Sequence, residues 1–488
     1  MKKAINALIA VFATVAMAVA GFVGAGSALA DGAYSITAPT NGHTYEAYQV
    51  FTGDFSEKGV LSNLQYGSNA TKTGKVEESV VKSLAAAQGD EAVLKIVKQH
   101  VNFAGTPAAT IQSGKTVTVA AGYYLIKDQD GSVSGTDSYT SYIMQVVGNV
   151  TITPKSGVPT FEKKIKDTND TDGKVTDWQD SADYDFGDEV PFKLEGTVAE
   201  NFSSYKTYYF AFHDQEEKGL TFNKDSVKVY VDDAEIQSGY EVKTDGLTDN
   251  DTFEVVFNNL KNIASVKAGS RIRVEYTSTL NEGANLGSHG NVNKAKLEFS
   301  NNPNEEQQGS AKPSTGETPW DNVIVFTYKV VVNKTDGSKP LAGAAFKLEK
   351  NYKNGGWKTV KEFTAGTDTT FEFKGLDDGD YRLTETTAPA GYNRIDPITF
   401  TVTAKHDIEW TVKDREDVLT KLSGDASSGE ITFTADKANG SLTTNVVNKP
   451  GSSLPETGGM GTIVLYVAGA ALVVAAGAYF TLKKKYTR

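Results

Sequence analysis

The chain has 488 residues, a formal net charge of −12 and no cysteine. A chain of that length outgrows one hydrophobic core and reads as roughly two to four domains. The acidic balance argues against nucleic acid and anionic membranes as partners, and the absence of thiols excludes cysteine nucleophiles and disulfide staples.

The first stretch reads as a leader. Met1-Lys2-Lys3 is a short basic region, residues 4–26 are apolar and small, and Ala28-Leu29-Ala30 has the A-x-A form of a signal-peptidase site. Residues 1–30 are therefore expected to be removed between Ala30 and Asp31. Residues 31–158 read as a mixed α+β domain. Residues 34–37 and 45–51 are short strands, and the stretch 76–100 carries Val80, Val81, Leu84, Val93, Leu94 and Val97 near helical spacing with a break at Gly89-Asp90. One or two helices are expected there. Strands resume at 116–119, 123–126 and 141–147, and the domain closes on Val150-Thr151-Ile152-Thr153-Pro154-Lys155.

Residues 159–327 alternate apolar and polar side chains, as in Tyr208-Tyr209-Phe210-Ala211-Phe212 and Arg271-Ile272-Arg273-Val274-Glu275-Tyr276, which is a sandwich pattern. Residues 301–320, rich in Asn, Pro, Glu, Gln, Ser and Gly, read as a loop, and residues 323–332 as one long strand leading into a third all-strand region, 328–450. The final region, 451–488, holds the stem Gly451-Ser452-Ser453, then Leu454-Pro455-Glu456-Thr457-Gly458, an apolar run over 463–482, and Lys483, Lys484, Lys485 and Arg488. A run of roughly 20 apolar residues spans a bilayer, and a basic cluster behind it holds that end in the cytoplasm. Loss of both terminal signals removes six basic residues and no acidic one, taking the net charge from −12 to −18.

Three signals are set aside. Asp130-Gly131-Ser132-Val133-Ser134 has the D-x-S-x-S form of an adhesion-type metal site, but it lies in a turn with no doubly wound sheet to carry it. Asp170-Thr171-Asp172-Gly173 has the look of a calcium loop, but Thr168 and Gln179 stand where its first and last ligands belong. His43, His100, His213, His289 and His406 are scattered without ligand spacing, so no metal and no cofactor are expected.

The motifs carry a resemblance. In the third region Asn333-Lys334-Thr335-Asp336-Gly337, the stretch Tyr381-Arg382-Leu383-Thr384-Glu385-Thr386-Thr387-Ala388-Pro389-Ala390-Gly391-Tyr392, and Val446-Val447-Asn448-Lys449-Pro450 resemble the collagen-adhesin B-type domain of Gram-positive surface proteins and the E-box of pilin subunits. The resemblance implies a spontaneous amide bond between Lys334 and Asn448, assisted by Glu385. The residues support it on their own terms. Lys334 is in phase with Val330 and Val332, Glu385 with Tyr381 and Leu383, and Asn448 with Leu442 and Val446, so all three are expected to face the core. Burial drives an amine and a carboxyl towards their neutral forms, and a neutral amine is a nucleophile.

The middle region is similar to the A-type domains of pilins. Lys163 is in phase with Phe161 and Ile165, Asp214 with Phe210 and Phe212, and Asn293 with Ala295, Leu297 and Phe299. A Lys163 to Asn293 bond promoted by Asp214 is expected, with Lys164 and Asn291 as the alternatives. Val150-Thr151-Ile152-Thr153-Pro154-Lys155 resembles the pilin motif, with Thr153 where Tyr is usual, and Lys155 falls on the face opposite Val150 and Ile152. Leu454-Pro455-Glu456-Thr457-Gly458 resembles the wall-sorting signal that a sortase cleaves between Thr457 and Gly458, passing the acyl group to an amine.

The resemblance implies a mainly β chain of tandem immunoglobulin-like sandwiches with a mixed N-terminal domain, a signal peptide and a C-terminal transmembrane helix. It implies the backbone pilin of a sortase-assembled, peptidoglycan-anchored surface pilus, and no enzyme. Expected partners are pilus-class and housekeeping sortases, identical subunits joined head to tail, peptidoglycan, minor pilins and host or matrix ligands. The rival reading is a monomeric wall-anchored adhesin with the same stapled domains as its stalk.

Overall fold

The computed structural model describes residues 33–55, 61–154, 157–247, 249–305, 312–410, 418–427, 429, 431–451 and 460–485. Strands dominate, in three successive regions.

In the first, Ala33–Thr37 pairs antiparallel with Thr116–Ala120 and parallel with Val150–Thr151. A second sheet runs Leu61–Tyr66, Thr44–Phe55, Gly122–Asp128, Ser141–Val146, with Ala109–Gln112 also on Thr44–Phe55. The helical stretch is two helices, Glu78–Ala86 and Gly89–Lys98. They separate at Gly89, whose φ of +83° suits glycine. Leu84, Leu94 and Val97 from them pack on Tyr48, Val50 and Leu125. The segment 130–134 is a turn, with Gly131 N bonded to Tyr139 Oη.

The middle region is a two-sheet sandwich. One sheet runs Ala234–Ile236, Leu220–Val231, Arg271–Leu280, Glu189–Thr197, Phe161–Ile165; the other runs Ser181–Asp183, Asp321–Phe326, Asn291–Ser300, Phe210–Glu216, Phe253–Phe257, Glu241–Lys243, with Thr315–Glu317 added to Asn291–Ser300. Alternation is strict along Arg271–Leu280, where Ile272, Val274, Tyr276, Ser278 and Leu280 are buried. Phe192, Phe210, Phe212, Phe253 and Leu297 fill the space between the sheets.

The third region packs Thr370–Leu376, Tyr328–Thr335, Ser441–Val447, Thr434–Asp436 against Gly356–Phe363, Ala345–Tyr352, Gly379–Thr387, Ile398–His406, Leu419–Ala426. Its first and last long strands, Tyr328–Thr335 and Ser441–Val447, are parallel neighbours.

Two sequence expectations are corrected. Residues 323–332 are not one strand: Asp321–Phe326 and Tyr328–Thr335 meet at Thr327 and enter different sheets, with Val323 and Val325 in the middle core and Ile324 and Phe326 joining Tyr328 in the third. The loop 301–320 includes the strand Thr315–Glu317, whose Gly316 lies against the Phe299 ring.

The regions touch through specific bonds. Tyr139 N donates to Asn301 O at 2.7 Å between the first and second. Between the second and third, Asn169 Nδ2 donates to Asp378 Oδ1 at 2.6 Å and Thr171 Oγ1 to Asn351 O at 3.1 Å. The 170–173 stretch is thus a docking turn.

Candidate functional site

Each sandwich buries a lysine, a carboxylate and an asparagine. Lys163 lies on the inward face of Phe161–Ile165 and is fully buried. From the facing sheet, Asp214 follows Phe210 and Phe212 inward, and the neighbouring strand sets Asn293 opposite Glu216. Lys163 Nζ lies 2.5 Å from Asp214 Oδ2 and 2.7 Å from Tyr276 Oη. Tyr276 donates to Asp214 Oδ2 at 2.8 Å and accepts from Asn293 Nδ2 at 2.9 Å. One hydroxyl therefore touches all three groups. Asn293 Nδ2 also donates to Glu216 Oε1 at 3.2 Å, and Ser278 Oγ donates to that same oxygen.

Removing an ammonium and a carboxylate from water disfavours both charges. Burial holds Lys163 below its ordinary value against the pull of Asp214, and lifts Asp214 against the pull of Lys163. Burial, then the nearby Asp214 charge, pushes Glu216 up to about 8. The proton is driven from amine to carboxylate. Asn293 Oδ1, Asp214 Oδ1 and Glu216 Oε2 are all buried without a hydrogen-bond partner, an uncommon concentration. A half-turn of the Asn293 carboxamide exchanges its oxygen and nitrogen and brings that free carbonyl to a protonated acid.

In the third region the lysine and asparagine share a sheet and the acid comes from across it. Register places Lys334 opposite Val446, and Asn448, just past the strand, bonds Thr335 O through its backbone N–H at 3.0 Å. Lys334, Glu385 and Asn448 are buried. Lys334 Nζ donates to Val446 O at 3.0 Å and Thr335 O at 3.3 Å. Two neutral carbonyls need only two N–H groups, so a neutral amine satisfies them and keeps its lone pair. Burial holds Lys334 below its ordinary value against the field of Glu385. Asn448 Nδ2 lies 3.0 Å from both Glu385 oxygens, Ile395 N donates to Glu385 Oε2 at 3.0 Å, and Asn448 Oδ1 is unpartnered. Glu385 thus addresses the amide, not the amine.

The alternatives sit elsewhere. Lys164 Nζ is part-exposed on Asp180 Oδ1 at 2.6 Å. Asn291 is buried, but its Nδ2 donates to Asn285 O and Val325 O and its Oδ1 accepts from Asn285 N, so it offers no free carbonyl. Tyr276, Glu216 and Ser278 were not singled out from the sequence. Glu216 shares the phase of Asp214, and Ser278 the phase of Tyr276, Val274 and Ile272, and that periodicity was the available signal. Lys155, Ala30, Asp31 and Leu454 through Gly458 lie outside the described residues. The helix Met460–Lys485 contains one span, Val464–Lys484, long and apolar enough to cross a membrane.

Residues 328–416 match the SpaA family, described as a prealbumin-like fold domain. The trypsin-resistant surface T6 protein of Streptococcus pyogenes serotype M6 is 26% identical over 327 residues, 62% of this chain and 53% of that protein. The chain thus spans about half the length of this curated relative. Among solved structures, the T6 backbone pilin of serotype M6 Streptococcus pyogenes, a modular three-domain structure, superposes with a TM-score of 0.52 at 18% identity, covering 87% of this chain and 100% of that one. The full-length major pilin SpaD from Corynebacterium diphtheriae gives a TM-score of 0.48 at 18% identity, covering 86% and 98%. Residues 328–416 are thus similar to the SpaA prealbumin-like domain, and the chain shares the fold of a streptococcal backbone pilin.

Proposed function

We propose that this chain is the structural subunit of a covalent surface pilus. A sortase transfers the Thr457 carbonyl of one molecule to Lys155 of the next, and the fibre is finally joined to peptidoglycan. Fold alone does not fix function. The observation that carries the reading is that both sandwiches of this pilin-like fold seal a lysine, an acid and an asparagine whose carbonyl oxygen has no partner.

The chemistry is the same in both. The neutral Lys163 nitrogen attacks Asn293 Cγ, an N–C bond forms, the bond from Cγ to Nδ2 breaks, and ammonia leaves with the proton that Asp214 returns. Tyr276 and Glu216 hold the carboxamide. Lys334, Asn448 and Glu385 do the corresponding work in the third region. The two bonds differ mechanically. Lys334 to Asn448 joins parallel first and last strands, so tension entering at one end leaves at the other without passing through the domain. Lys163 to Asn293 ties sheet to sheet and leaves the strand Asp321–Phe326 outside the closed loop.

One acyl donor and one amine acceptor per subunit give a head-to-tail contact that does not close, hence a linear polymer. Wall extracts from a sortase-positive host should show a ladder that survives boiling in detergent. Lys155→Ala should collapse it to wall-linked monomer, and Thr457→Ala should abolish both forms. A ladder that persists in Lys155→Ala moves the acceptor to another lysine; no ladder in the wild type makes the chain a monomeric adhesin.

A further inference from the structure

The joint between the second and third regions gathers two sets of carboxylates, and among the described residues only one of them is paired with a lysine. Asp170 and Asp185 lie 3.0 and 2.6 Å from Lys350 Nζ, and Asp377 also contacts it. Lys350 is fully buried, so that set has a cation supplied from within the chain. Nearby, Asp167 and Asp183 of the second region face His406 of the third. His406 Nε2 stands 3.8 Å from Asp167 Oδ2 and 3.7 Å from Asp183 Oδ1, beyond hydrogen-bond reach. Among the described residues, no lysine or arginine forms an ion pair with Asp167 or Asp183.

The ring orientation sharpens this contrast. Ser181 Oγ has one hydrogen and donates it to Asp407 O at 2.6 Å, so its 2.5 Å contact with His406 Nδ1 uses the Nδ1–H. Nε2, the ring nitrogen left free by that bond, is aimed at the two carboxylates and makes no hydrogen bond to either. A second, independent feature points the same way. The Tyr328 hydroxyl is buried inside this cluster, with Asp183, Asp378 and Asp167 as its polar surroundings and Asp183 as its nearest polar partner.

We propose that Asp167, Asp183 and His406 bind one divalent transition cation of the zinc class across this joint. Their ligand atoms lie within 4.8 Å of one another. Ligands about 2.0–2.2 Å from a tetrahedral ion stand roughly 3.3–3.6 Å apart, so only a small contraction is needed. An imidazole with two carboxylates suits zinc or manganese better than calcium, which takes oxygen alone. Asp183 Oδ2 already accepts from Asp378 N at 3.2 Å, which leaves Oδ1 for the ion, and Ser181 fixes the tautomer that ligation needs. The buried Tyr328 hydroxyl is placed to accept from, or donate to, a water in the remaining position. Because the ligands come from both sandwiches, the ion would fix the angle between them. No spacing rule could show this, since the third ligand is over two hundred positions from the first.

The test is calorimetric titration of the full chain in detergent, stripped with chelator, with zinc chloride. One zinc per chain is expected. His406→Ala and the part-exposed Asp167→Asn should each abolish it, and Ser181→Ala should weaken it by about 10–100-fold. His213→Ala should leave it unchanged, because His213 is held by Asp251 and Glu298 at 2.7 and 3.1 Å. Circular dichroism of each variant separates lost ligation from lost fold. Zinc retained by both His406→Ala and Asp167→Asn, or no zinc bound by the wild type, overturns the proposal.

Discussion

Lys163 and Lys350 are both lysines without exposed surface, yet their surroundings drive them in opposite directions. Burial acts on both to favour the neutral amine. At Lys163 that influence wins, because the pocket offers one contacting carboxylate oxygen and a tyrosine hydroxyl. At Lys350 it loses: Asp377 and Asp185 outweigh burial and lift the lysine above its ordinary value. Lys127 in the first region follows Lys350, since Asp130 and Glu46 outweigh its burial. A sealed lysine is therefore a nucleophile or a counter-ion according to how many carboxylates contact its nitrogen. Among the described residues, only Lys163 and Lys334 combine a lowered lysine with a neighbouring carboxamide whose oxygen is free. The first region holds a buried lysine, but in the charged state and without that electrophile.

Breaking the reactive side of this contrast should cost most. Asp214→Ala removes the proton acceptor, so the middle bond should fail to form and the variant should weigh one ammonia more than wild type once the substitution is counted. By chain-entropy reasoning, losing a cross-link over a loop of this size costs about 5 kcal/mol, read as a lower melting midpoint and faster trypsin cleavage of the middle sandwich. Breaking the counter-ion side should cost somewhat less. Lys350→Met leaves the buried Asp185 and Asp377 without their cation beside the part-exposed Asp170, at about 3–5 kcal/mol, with no change in the number of ammonia molecules lost. Equal mass and equal melting midpoint in both variants would erase the distinction.

The smallest effect sharpens the middle site by pH. Glu216 moves from an ordinary 4.5 up to about 8, through burial and the Asp214 charge. Its folded value lies above its unfolded one, so its contribution to stability is full below about 4.5 and is lost as pH rises through about 8. The melting midpoint should fall across that window in the wild type and fall less in Glu216→Gln. An identical pH profile in the two proteins would remove Glu216 from the account.

Much of this was legible because strand alternation is local. A period of two suffices to turn Lys163 with Phe161 and Ile165, or Asp214 with Phe210 and Phe212, towards a core. The break at Thr327 was not legible: residues on both sides are apolar, and only membership of two sheets separates Asp321–Phe326 from Tyr328–Thr335. Tyr276 looked like one more core aromatic, since its role depends on the opposite sheet delivering Asp214 and Asn293 to its hydroxyl. The joint was least visible of all. Lys350 with Asp185, and His406 with Asp183, are brought together from separate sandwiches, and no pattern within either one records it.

The central claim is that two of the buried lysines, and no others, have become amides. Intact-mass measurement of the mature chain, followed by peptide mapping, tests it directly. The account predicts a mass below that of the sequence by two molecules of ammonia, with cross-linked peptides joining Lys163 to Asn293 and Lys334 to Asn448. An unmodified mass, or a loss mapped to Lys350 or Lys127, would contradict it.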